Sequence, residues 1–125
     1  MNPFRPNPLT TLPTLLIALT LTLFLSACGS DDTEPDCNTD NVTYSATVAP
    51  VMAAHCNGCH SGPSASAGIN TSTHAGLTAA AANGRLVGSL KHQSGFSAMP
   101  QGGSKLAECT IRQIEAWVNN GAPNN

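Results

Sequence analysis

Apolar positions divide the chain into three regimes. Between residues 9 and 27 they dominate, in LTTLPTLLIALTLTLFLSA, without a charged side chain. Between 28 and 42, in CGSDDTEPDCNTDNV, they nearly vanish and show no period. Beyond that they return at helical spacing twice. In SATVAPVMAAHC, residues Val48, Val51, Met52 and His55 fall near one face, and Pro50 suits a first helical turn because its missing N–H has no partner there anyway. In KLAECTIRQIEAWVNNGAP, residues Leu106, Ile111, Ile114, Trp117 and Val118 approximate an i, i+3, i+4, i+7 stripe. Gly121 and Pro123 supply the stop, whereas Ala107 stands where a capping side chain is wanted. The segment between these helices is punctuated by glycine. HAGLTAAAANG predicts a short helix ending at Gly84, and RLVGSL a second short ordered piece. No strand and no repeat is visible, so the expected class is all-α.

The leading apolar run follows a segment with one cation, Arg5, which is the layout of an export signal. Its end, Leu25-Ser26-Ala27-Cys28, resembles a bacterial lipobox, in which Cys28 is lipidated and becomes the first mature residue. The alternative is an uncleaved anchor, since the run is nearly long enough to span a bilayer. Either reading puts the rest of the chain outside the cytoplasm and on a membrane. Gly29 and Ser30 after the cysteine lean, by resemblance to lipoprotein sorting signals, toward the outer membrane.

Charge is distributed unevenly. Asp31, Asp32, Glu34, Asp36 and Asp40 crowd the stretch 28–42, which reads as an acidic flexible tether. From residue 41 onward four cations face two anions. No basic run with interleaved aromatics suggests nucleic acid. The resulting division is a signal segment at 1–27, the tether at 28–42 and one domain at 43–125. Only Tyr44, Phe96 and Trp117 are aromatic in that domain. So small a core usually needs a disulfide, a metal or a large cofactor.

The chemistry concentrates in AAHCNGCHSG. Cys56 and Cys59 stand three apart and His60 follows at once. Cys-x-x-Cys-His reads as a covalent c-type haem attachment site. Each thiol adds to one vinyl group of a porphyrin, and the next residue turns an imidazole toward the iron. For this chain's cysteine and histidine content a chance match is on the order of 1 in 150, so context must decide. A thioredoxin-like dithiol wants a strand and a βαβ pattern around it, and a zinc site wants four closed ligands. The sequence offers neither a βαβ pattern nor a second Cys-x-x-Cys.

A sixth iron ligand is expected from Met99, in SAMPQGG, thirty-nine residues beyond His60 on a loop shaped by Pro100, Gly102 and Gly103. Met52 reads as core packing. A gap-filling role for Met99 and ligation by His92 remain open; His55 and His74 read as surface or hydrogen-bonding residues. Of five cysteines, Cys28 goes to lipid and Cys56 and Cys59 to haem, which leaves Cys37 and Cys109. In an oxidising compartment these are expected to pair, the alternative being two free thiols.

The pieces VAPVMAAHCNGCHSG, AGINTSTHAGL and AMPQGGSKLAECTIRQIEAWVNNGAP together resemble small monohaem c-type cytochromes, of the kind found in bacterial lipoproteins and planctomycete-like cytochrome domains. The resemblance spans about residues 44–123 and is weakest in the middle piece. It implies a cytochrome c-like, all-α fold wrapped around one covalent haem c, with the first and last helices crossing near one haem edge and Trp117 packed where they meet. It also implies Cys56 and Cys59 as thioether sites, His60 as proximal ligand and Met99 as distal ligand. The expected function is one-electron transfer between redox partner proteins by a monomeric, lipid-tethered, periplasm-facing domain. No carboxylate pair or nucleophile–base set suggests an enzyme. The rivals are a haem-based sensor and an accessory haem subunit of a larger oxidoreductase.

Overall fold

Thr43 opens the first helical segment by accepting a hydrogen bond from the Ala46 N–H at 3.2 Å. The computed structural model describes residues 36–125, so the signal segment, Cys28 and most of the acidic stretch lie outside the described residues. The described residues fall within one compact unit. The first turn, Tyr44–Val48, is π-helical and runs directly into α1, Ala49–His55. Helical geometry therefore begins before Pro50 rather than at it. The reason is local. Proline has no N–H to give to the residue four back, and a wider turn just upstream absorbs that gap. The Ala49 N–H bonds Tyr44 O across this wider turn.

Thr73 caps α2, His74–Ala82, through its side chain. Gly84, in the left-handed region at φ 75°, separates α2 from α3, Arg85–Leu90. Glycine adopts that φ without steric cost, so two short helices can follow each other across a sharp corner. The last helix, α4, Glu108–Asn119, starts at Ala107 without a side-chain cap. A 3₁₀ turn, Ser66–Gly68, lies in the loop between α1 and α2. Among the described residues there is no strand, and none of the helices is long and apolar enough to cross a membrane.

The core joins all four helices. Val48 and Met52 from the first segment, Leu77 and Ala80 from α2, Leu86 and Leu90 from α3, and Ile111, Ile114 and Trp117 from α4 are buried together. The α4 stripe thus faces inward at its centre, while Leu106 and Val118 at its ends are only partly covered. Met52 is a core residue, 1 % exposed. Trp117 is the largest fully buried side chain. Its ring lies 5.9 Å from that of Tyr44, in the turn before α1, and 6.0 Å from that of His74, at the start of α2. Its indole N–H donates to Pro123 O at 2.9 Å, and His74 Nε2 donates to Ala122 O at 2.9 Å, so the C-terminal tail is folded back over this cluster.

Residues 37–42, assigned by composition to the tether, belong to the packed domain instead. Cys37 and Cys109 form a disulfide with Cα atoms 5.4 Å apart. Gln113 donates to Asn38 O at 3.1 Å, and Val42 is 7 % exposed. The bridge is the pairing expected from the cysteine count, whereas the low density of apolar letters gives no sign of the contacts made by Asn38 and Val42.

Candidate functional site

The helical path of α1 continues into the cysteine motif. Cys56 N–H donates to Met52 O at 2.9 Å, and His60 N–H donates to Cys56 O at 2.9 Å. One turn therefore carries Cys56, Cys59 and His60. Both thiols are free; Cys56 is half-buried and Cys59 exposed. Burial pushes the Cys56 thiol above its ordinary pKa. That is opposite to what a dithiol oxidoreductase needs, since thiolate is the attacking species.

The imidazole of His60 is held by the backbone. Its Nδ1 lies 3.1 Å from Ser66 O and 3.2 Å from Ile69 O. A carbonyl can only accept, so Nδ1 carries a hydrogen, and in the neutral ring Nε2 is then the nitrogen with the lone pair. This is the tautomer of an Nε2 metal ligand whose other nitrogen is anchored by the protein. The loop that supplies the two carbonyls is pinned in turn. Ser66 N–H donates to Cys59 O at 2.9 Å, and Thr71 N–H donates to His60 O at 2.7 Å. The Thr71 hydroxyl, on a buried residue, lies 2.9 Å from Asn57 Oδ1 and 3.1 Å from His60 O.

Met99 is half-buried on the segment between α3 and α4. Its N–H donates to Ser89 O at 3.1 Å, and its carbonyl accepts from His92 Nε2 at 3.0 Å. His92, the alternative ligand, thus already spends one ring nitrogen on the Met99 backbone. His55 is exposed, and His74 belongs to the aromatic cluster.

An open cleft of about 580 Å³ lies beside the end of α1. His55, Pro100, Leu106, Ala107 and Thr110 contribute to its walls, with Gly103, Ser104 and Lys105. His60 and Met99 do not line it, but a chain neighbour of each expected ligand-bearing segment does: His55 precedes Cys56, and Pro100 follows Met99. Among the described residues no three His, Cys, Asp or Glu side chains converge to hold a metal ion by themselves.

The anchoring carbonyls of Ser66 and Ile69 were not foreseen from the sequence, nor was the bond from His92 to Met99. A backbone carbonyl is common to every residue, so no letter marks the one that will face an imidazole. Compared with known proteins, the chain matches no family model, no curated protein and no solved structure.

Proposed function

We propose that the domain is a c-type cytochrome that carries single electrons at the surface of a membrane, held there by lipid on Cys28. The observation that carries this reading is the combination on one turn of two unpaired thiols and a histidine whose Nδ1 is tied to backbone carbonyls. The donor set fits a haem. Cys56 and Cys59 would supply the two thiols for covalent attachment, His60 would supply an imidazole through Nε2, and Met99 would supply a thioether. Haem bound there supplies reversible one-electron exchange at its iron.

The residues of the chain do the rest. The Ser66 and Ile69 carbonyls keep the His60 ring from rotating and preserve its tautomer. Thr71 and Asn57 hold the motif turn against the following loop. Leu106 and Ala107 offer apolar contact beside the cleft. Ligands kept in both oxidation states minimise rearrangement on electron transfer, which suits a carrier meeting donor and acceptor proteins in turn.

An intact mass of the mature chain tests both covalent claims. After acid–acetone extraction it should still include one haem, plus a glyceride-linked lipid at Cys28. The pair Cys56→Ala and Cys59→Ala should lose the haem mass and keep the lipid. Haem that extracts from the parent protein would refute the attachment, and a mature chain without lipid would refute the anchor.

A further inference from the structure

The geometry points to His92 as the residue that positions the sixth ligand, by holding the Met99 peptide against the end of α3. The inference rests on the reading of Met99 as an iron ligand.

It begins with a backbone outlier. His92 has φ 55°, in the left-handed region. It follows the C-cap of α3, Lys91. There the His92 N–H donates to Ser89 O at 3.2 Å and the Gln93 N–H to Gly88 O at 2.9 Å. These two bonds form the six-to-one and five-to-two pair that ends many helices, and its left-handed position is most often glycine. A side chain there carries backbone strain that glycine avoids. Such strain persists where the surroundings over-determine it, and it clusters at functional positions.

The imidazole is what glycine would lack. Its Nε2–H reaches the Met99 carbonyl at 3.0 Å. The Met99 N–H meanwhile reaches Ser89 O at 3.1 Å, the same carbonyl that accepts from His92. Both polar groups of Met99's own backbone are therefore fixed to one helix end, one by main chain and one by His92. The thioether needs no protein hydrogen bond to be aimed, but its Cα does need a fixed place. His92 supplies half of that constraint across seven residues of a loop containing Gly95 and two serines.

His92→Gly separates positioning from simple support. It removes the ring and at the same time relaxes the backbone, so α3 and the fold should be kept. In the full-length haem-loaded protein, the ferric far-red band of sulfur ligation should weaken or vanish. Carbon monoxide binding to the ferrous form should rise about tenfold or more, the usual scale for losing a residue that orients a ligand. The reduction potential should fall as thioether ligation is lost. His92→Gln, whose amide can donate to the same carbonyl, should restore much of the band. If the parent shows the sulfur band and His92→Gly retains it, with carbon monoxide binding unchanged, the inference about His92 is overturned while Met99 ligation stands. If the parent itself lacks the band, the Met99 reading fails first and takes this one with it.

Discussion

Replacing Cys37 and Cys109 together by alanine should remove about 4 kcal/mol of stability. The bridge closes a sequence separation of 72 residues. In the chain-entropy treatment, a ring of that size costs the unfolded chain about 15 cal/mol/K, which is about 4.4 kcal/mol at room temperature. A packed domain of the described length, residues 36–125, has a total stability of about 5–13 kcal/mol. The loss is therefore a third of the total or more, and larger than any single core truncation is expected to need for a visible effect. Equilibrium urea unfolding checks it, with far-UV circular dichroism and the fluorescence of Trp117, the single tryptophan, as probes. At a slope of about 1.5 kcal/mol per molar, the midpoint should fall by on the order of 3 M. The slope itself should rise, because the uncrosslinked denatured chain expands and exposes more surface. The proposed haem attachment should survive in native buffer, since neither cysteine belongs to the Cys56–Cys59 motif. A loss below about 1 kcal/mol, in a parent shown by peptide mapping to contain the bridge, would refute the loop-closure reasoning.

Two glycine contacts give further outcomes. Gly76→Ala would place a methyl group 2.1 Å from Asn70 O, a backbone atom that cannot swing away, so unfolding free energy should fall by about 3 kcal/mol. Gly88→Ala would place one 2.5 Å from Cδ2 of Phe96, a ring already 38 % exposed and able to move outward. Its cost should be about 1 kcal/mol. Because the clash needs both side chains, Gly88→Ala should cost much less in a Phe96→Ala background, and additive losses in that double-mutant cycle would exclude the contact as its cause.

Local physics made much of this protein legible in one dimension. The i, i+3, i+4 stripe over Ile111, Ile114 and Trp117 predicts the buried face of α4, because helical geometry alone brings those positions together. The alanine run ending in Asn83 and Gly84 predicts α2 and its stop through helix propensity and the glycine that follows. The Cys56, Cys59 and His60 spacing puts the three on a single turn, which local backbone bonds hold without a distant partner. The tertiary structure decided what depends on the path of the backbone. Ser66 O and Ile69 O meet the His60 ring only because Thr71 and Ser66 return the loop to the motif. The π-helical turn before Pro50 is the compromise between a missing N–H and a segment already capped at Thr43. The cysteine count predicts the Cys37–Cys109 bond, but that Asn38 and Val42 also pack onto the domain was decided by the folded chain. The restraint of Met99 by His92 depends on a left-handed turn that no side-chain pattern announces. Side-chain periodicity is encoded residue by residue, whereas hydrogen bonds to main-chain carbonyls use a group every residue shares, and only the folded chain selects which ones meet.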